Sequence, residues 1–100
     1  MAMRVTFEPN EAQEVATRLG LDFAEEPFSL EEFRQGIDVE LEHGRRDAAT
    51  NVTGDDALTT GKIALAHLRE IPDYYTRLAH MEAEAEAEAR AAAAKAHDPA

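Results

Sequence analysis

The 100-residue sequence predicts an all-α protein, organised as a small three-helix bundle or open helical array. Apolar residues recur at helical spacing in three segments, and these segments begin or end at residues typical of helix caps. Alanine, the residue with the highest helix propensity, occupies 20 of the 100 positions. All 24 Val, Ile, Leu, Met, Phe and Tyr residues lie in the first 81 positions. We therefore expect one helical domain over residues 1–81 and a solvated tail over residues 82–100.

The first helix is expected to begin near Pro9 and to end before Gly20. Proline suits the first helical position, and glycine is the preferred residue just after a helix. The apolar stripe of this helix, spaced i, i+3, i+4, i+7, is Ala12, Val15, Ala16 and Leu19. Residues 21–28 follow as a connector whose leucine and two phenylalanines we expect to reach the core.

The second helix has the clearest start signal in the chain. Ser29 and Glu32 have the spacing of a capping box, and Phe28 is placed to pack on Phe33 across it. The apolar stripe of this helix is Leu30, Phe33, Ile37 and Leu41. We expect the helix to end at Gly44.

Two residues that are unfavourable in helix interiors carry further information. Gly36 costs about 1 kcal/mol relative to alanine, which indicates a close neighbour such as another helix backbone. A polar loop over residues 47–55 precedes a third helix, which is expected to start near Thr53 or Asp55. Pro72 must kink or break that helix. We expect a bend, because one stripe continues across the proline: Ile63, His67, Ile71, Tyr74, Leu78 and Met81.

The tail alternates alanine and glutamate, which superficially resembles a strand. Both residues are good helix formers and poor strand formers, so we expect a helix. Glu86 precedes Arg90 by four residues, the favourable order for an ion pair within a helix. Because the tail carries no large apolar residue, we expect it to be solvated on all sides.

Composition excludes several classes of protein. No apolar run is long enough to span a membrane, and the N-terminus lacks the apolar segment of a secretory signal. With no cysteine, the chain has no disulfide, thiol nucleophile or cysteine-based zinc site. A formal net charge of −11 opposes direct binding of nucleic acid. We expect a cytoplasmic protein with a basic protein partner or a bound cation.

Two carboxylate–imidazole pairs form a candidate metal site. Glu40 and His43 lie at i, i+3 on the second helix, and His67 and Glu70 lie at i, i+3 on the third. Helix-borne pairs of this kind hold manganese or iron in helical bundles, and zinc also accepts these ligands. A two-metal site would need a homodimer to supply enough ligands. The alternative is a buried polar cluster, without a cofactor, that joins His67 to Glu40, Tyr74 or Glu70.

Two adjacent tyrosines follow Pro72. On a bent helix, Tyr74 would share the face of His67, while Tyr75 would point about 100° away, the rotation per residue of a helix. Tyrosines with exposed tips are common anchors in protein interfaces, so both are candidate partner-binding residues. The alternative is core packing with the hydroxyl groups hydrogen-bonded at the edge.

Three stretches resemble a family of small bacterial and phage proteins described only as a domain of unknown function. They are residues 33–44 (FRQGIDVELEHG), 50–56 (TNVTGDD) and 60–78 (TGKIALAHLREIPDYYTRL). The resemblance implies a small helical protein of intracellular bacterial or phage origin, and it implies no activity. Both carboxylate–imidazole pairs lie inside the resembling part, and the alanine–glutamate tail lies outside it.

The sequence therefore favours a non-enzymatic interaction module that binds through a helical face around Tyr74 and Tyr75. A core of this size leaves little room for a substrate cavity, which favours binding over catalysis. The alternative is a metal-binding helical protein that uses the two carboxylate–imidazole pairs. A weaker alternative is an acidic mimic of nucleic acid that blocks a basic partner.

Overall fold

A computed structural model describes residues 7–96 of the chain, and this part is helical without any strand. The elements are α1 (Pro9–Arg18), α2 (Leu30–Arg46), a 3-10 turn (Ala48–Thr50), α3 (Ala57–Glu70) and α4 (Tyr74–Ala96). The predicted all-α class is confirmed. None of the helices in residues 7–96 combines the length and the apolar character needed to cross a membrane.

Helix α2 is the centre of the packing, because it contacts each of the other three helices. The core around it consists of buried apolar side chains from every helix and from the connector, among them Ala16, Phe28, Phe33, Ile37, Leu68 and Tyr75. Gly61 lets α1 and α3 approach closely, since a Cβ atom there would lie 2.7 Å from Val15 Cγ1.

The two ends of α1 follow the sequence prediction. Pro9 opens the helix, and the carboxylate of Glu11 accepts a hydrogen bond from the backbone N–H of Glu8. Gly20 follows the last turn with a φ of +74°, in the left-handed region that glycine adopts without strain. The Leu21 N–H donates back to the Ala16 carbonyl at 2.9 Å, which closes the end of the helix.

The start of α2 is as predicted, and its end is not. Ser29 Oγ accepts from the Glu32 N–H at 3.1 Å, and the rings of Phe28 and Phe33 stack with centroids 6.2 Å apart. The helix does not end at Gly44 but continues to Arg46. Gly44 instead allows the side chain of Asn51 to pack closely against α2, because a Cβ atom at position 44 would lie 3.1 Å from the Asn51 side-chain oxygen.

The chain does not bend at Pro72 as one long helix; it forms two helices. Helix α3 begins at Ala57, capped by Asp56, and it ends at Glu70. Ile71 is extended (φ −134°, ψ 102°), as expected for a residue that precedes proline. Because α4 is a separate helix, the apolar stripe expected to continue across Pro72 does not form one buried face. Ile71 is 39% exposed and Met81 is 58% exposed.

Helix α4 is packed at its beginning and exposed afterwards. The predicted helix over the alanine–glutamate tail is confirmed as far as Ala96, which gives α4 a length of about 34 Å. Residues 79–95 are all exposed. The expected ion pair between Glu86 and Arg90 is not formed within residues 7–96.

Candidate functional site

A polar cluster joins α2, α3 and α4 where the three helices meet. We call Glu40, His67, Tyr74 and Tyr75 the junction cluster. The Tyr75 hydroxyl donates to Glu40 Oε2 at 2.8 Å, and His67 Nδ1 lies 2.9 Å from the same hydroxyl. His67 Nδ1 and Glu40 Oε2 are 3.2 Å apart. The Tyr74 ring stacks on the imidazole with a centroid distance of 4.5 Å.

Burial fixes the direction of the hydrogen bonds in the junction cluster. Tyr75 is 2% exposed. Burial raises the pKa of its phenol far above the usual range, and the hydrogen bond to Glu40 raises that pKa further. The phenol therefore stays protonated and donates a hydrogen bond to Glu40. His67 Nδ1 must then supply the hydrogen of its own bond to the Tyr75 oxygen, which leaves Nε2 as the outer nitrogen of the ring.

Gly36 makes the junction cluster sterically feasible. A Cβ atom at this position would lie 2.5 Å from Tyr75 Cε2 and 3.0 Å from Ala64 Cβ. The close neighbour that the sequence indicated is therefore confirmed, although it is a tyrosine ring rather than a helix backbone. This glycine was also the signal in the sequence that a large side chain is buried against α2.

The structure brings together two of the four predicted metal ligands. Glu40 and His67 are in contact, whereas His43 is exposed on α2 and Glu70 is exposed at the end of α3. No group of three or more histidine and acidic side chains within residues 7–96 is arranged to hold a metal ion. Glu40 and His67 belong to a polar cluster of the kind given above as the alternative, with Tyr74 stacked beside them and Glu70 outside it.

Both tyrosines contact His67, so the expectation for Tyr74 is confirmed and the one for Tyr75 is wrong. Tyr75, expected to point away from His67 toward a partner, is buried and bonded to it. Tyr74 is only half-buried and contacts His67 through its ring face. The reason is the break at Pro72, because the rotation per residue of α3 does not carry over into α4. The proposed partner-binding face therefore cannot include Tyr75.

The junction cluster satisfies its own polar groups. No buried side-chain nitrogen or oxygen in the part of the chain that the structure describes lacks a hydrogen-bond partner. The Glu40 side chain is 18% exposed and the His67 side chain 36%. The cluster thus fastens the start of α4 to α2 and α3, with one imidazole nitrogen directed away from the hydrogen bonds.

A second candidate site is a groove between α2 and α4. We call it the α2/α4 groove. It encloses about 300 Å³, is open to solvent, and is lined mainly by Val39, His43, Arg46, Ala79, Glu82 and Glu86. Glu42 also borders it and lies 3.6 Å from the Arg46 guanidinium.

The carboxylates of Glu82 and Glu86 are the chemically distinctive part of the α2/α4 groove. Neither forms a hydrogen bond or an ion pair with any residue in the range 7–96. The alternation of alanine and glutamate predicted a tail without a distinct face, so no site was expected at these two residues. The signal was the spacing of Ala79, Glu82 and Glu86 at i, i+3, i+7, which places all three on one side of a helix.

Comparison with known proteins gives a family but no activity. The family model described as "Protein of unknown function (DUF5661)" matches residues 12–84. No curated protein and no solved structure matches the chain. The matched range contains the whole junction cluster and Glu82, and it ends two residues before Glu86.

Proposed function

Since the chain belongs to the DUF5661 family, whose function is unknown, we propose a function from its geometry. The protein is a non-enzymatic interaction module that binds a cationic segment of a protein partner in the α2/α4 groove. The observation that carries this proposal is the pair of carboxylates of Glu82 and Glu86, which line the groove together with Val39 and Ala79 and have no partner within residues 7–96.

The groove has the two surfaces that a lysine or arginine side chain requires. Val39 and Ala79 offer an apolar floor for the aliphatic part of such a side chain. Glu82 and Glu86 offer carboxylates for its charged end, and an arginine can bind a carboxylate with two parallel hydrogen bonds. Helix α4 fixes the backbone positions of both residues, so binding has to order only the two glutamate side chains and not the chain that carries them.

The charge of the whole chain supports a cationic partner. The formal net charge is −11, and a field of this sign raises the rate at which basic segments are encountered. Arg46 does not cancel the charge of the groove, because Glu42 lies close to it. The groove is open along one side, which suits a segment of a protein better than a small substrate that must be enclosed.

The test is binding of a fluorescein-labelled oligo-arginine peptide, measured by fluorescence anisotropy. The variant with Glu82→Arg and Glu86→Arg should bind at least about tenfold more weakly than the wild type, equivalent to 1.4 kcal/mol. The matched control carries Glu84→Arg and Glu88→Arg, which change the net charge equally at positions outside the groove. It should lose no more than about twofold. Equal losses in the two variants would mean that binding is not specific to the groove.

Metal binding is a second candidate, and one observation favours it. In the junction cluster, Glu40 and Tyr75 hold His67 through Nδ1. In metal sites, a carboxylate often binds the ring nitrogen of a histidine ligand that faces away from the metal, and so orients the ring. His67 Nε2 and Glu70 would be ligands on α3, and a second chain would complete the site. Protein purified without chelator should then contain manganese, iron or zinc that is lost in His67→Ala. Less than about a tenth of an equivalent in the wild type would exclude this candidate.

A further inference from the structure

We infer that the cationic segment bound in the α2/α4 groove is the projecting part of α4, residues 87–96, of a second copy of this chain. This inference rests on the proposed function. The protein would then be a two-fold symmetric dimer, in which the groove of each copy binds residues 87–96 of the other.

The first support is that residues 87–95 in this part of α4 are all exposed in the described chain. Helix α2 ends at Arg46, which lines the groove beside Glu86. Helix α4 continues past this point to Ala96, and residues 87–95 are exposed. A projecting helix with no tertiary contact gains stability when it packs on a second helix.

The second support is the distribution of charge along α4. Its only cations beyond Arg77 are Arg90 and Lys95, both in the projecting part. Arg90 has no hydrogen bond or ion pair within residues 7–96. Ala79, Glu82, Glu86 and Arg90 follow at spacings of three, four and four residues, so they share one side of the helix. This is the side that faces the groove.

An antiparallel pair of α4 helices makes this pattern self-complementary. When the two-fold axis passes near Glu86, Glu82 of each copy lies opposite Arg90 of the partner subunit, which gives two equivalent ion pairs. The two Glu86 carboxylates then meet near the axis, so the two ion pairs must outweigh one like-charge contact. Ala83 and Ala93 lie on the same side of α4. Their small side chains allow the two helix axes to approach to about 8 Å. A contact of this isologous kind closes as a dimer and does not propagate.

The experiment is sedimentation velocity over a concentration series, using the full chain. The wild type should dimerise, and Glu82→Arg or Arg90→Glu alone should raise the dimer dissociation constant at least about tenfold. The charge-swapped variant with both substitutions should recover the dimer. Glu82 and Arg90 are about 12 Å apart along one helix, too far for an ion pair within one chain, so recovery reports a contact between copies. Glu84→Arg is the matched control and should dimerise like the wild type.

Two outcomes would overturn the dimer: a wild type that stays monomeric throughout the series, or a charge-swapped variant as monomeric as the single variants. The oligo-arginine peptide separates this result from the proposed function. The Arg90→Glu variant keeps an unaltered groove, and it should bind the peptide. A monomeric wild type that binds the peptide through Glu82 and Glu86 overturns the dimer alone, whereas absence of peptide binding to Arg90→Glu overturns the proposed function as well.

Discussion

The first turns of α4 and the rest of that helix are helical for different reasons. Tyr74, Tyr75 and Leu78 pack against the core, and the Glu32 carboxylate accepts a hydrogen bond from the Thr76 N–H at 3.1 Å. Residues 79–95 have no such support, and they consist largely of alanine and glutamate, which form helices through intrinsic propensity. Packing thus determines where α4 starts and how it is oriented, whereas composition determines how far it continues.

The largest effect is expected at Gly36, where α2 meets the packed end of α4. Gly36→Ala should lower the free energy of unfolding by about 2 kcal/mol, because overpacking a core costs 1–3 kcal/mol. The new Cβ atom would lie 2.5 Å from Tyr75 Cε2, and Glu40 and His67 hold that ring in place. Urea denaturation of the wild type and the variant measures the difference.

The sign of this effect makes the experiment informative. In an exposed helix, glycine to alanine is stabilising by about 1 kcal/mol, so a gain at position 36 would show that Tyr75 moves away freely. The loss should largely disappear when Gly36→Ala is introduced into a Tyr75→Ala background. An undiminished loss in that background would assign the clash to Ala64 instead.

An intermediate effect is expected when the hydroxyl of the junction cluster is removed. Tyr75→Phe should lower the free energy of unfolding by about 1 kcal/mol near neutral pH, because the hydroxyl joins Glu40 to His67. The Glu40–His67 contact and the packing of the ring remain. This loss is expected to be smaller than that of Gly36→Ala because no steric clash is introduced.

The advantage of the wild type over Tyr75→Phe should vanish at high pH. Burial raises the pKa of the Tyr75 phenol in the folded protein, while in the unfolded chain it titrates near 10. Above pH 10 the unfolded state therefore releases a proton that the folded state keeps, and stability falls by about 1.4 kcal/mol per pH unit. The phenylalanine variant lacks this term. Urea denaturation of both proteins between about pH 8 and pH 11 measures this loss of stability. A difference in the free energy of unfolding that stays constant over this range would mean that the phenol is not buried.

The smallest effect on global stability is expected in the exposed part of α4. Ala85→Gly should reduce the helix signal in far-ultraviolet circular dichroism, because glycine costs about 1 kcal/mol in a helix interior. At concentrations where the chain is monomeric, the urea midpoint followed by tyrosine fluorescence should not change. Ala64→Gly, in the buried part of α3, is the matched control and should lower that midpoint. A lower midpoint for Ala85→Gly would mean that the exposed part of α4 unfolds together with the core.

Local signals in the sequence predicted most of the fold. Pro9, Gly20 and Ser29 act within a few residues of their own positions, and each lies at a helix boundary as expected. A signal of the same kind gave the wrong end for α2. Gly44 does not end the helix; it leaves room for the side chain of Asn51 in the following loop. Glycine can satisfy either requirement, and the sequence does not distinguish them.

The junction cluster was only half predictable, for a geometric reason. The contact of Glu40 with His67 followed from helix faces that remain intact in α2 and α3. The choice between Tyr74 and Tyr75 depended on the angle at which the chain leaves Pro72, which no local pattern encodes. The role of Glu82 and Glu86 in the groove depends on how α4 lies against α2. That orientation is also set by the angle at which the chain leaves Pro72, so the sequence pattern did not predict it.

The hydrogen bond from Thr76 to Glu32 bears on the order in which the chain folds. Asp73, the residue next to the start of α4, uses its carboxylate to bind the Arg77 side chain at 2.7 Å. The first turn of α4 is therefore stabilised by a residue 44 positions earlier in the chain. Such a contact closes a long loop and forms only after α2 exists. We therefore expect the alanine-rich body of α4 to form helix transiently in the unfolded chain, and its first turn to be fixed only once α2 has formed.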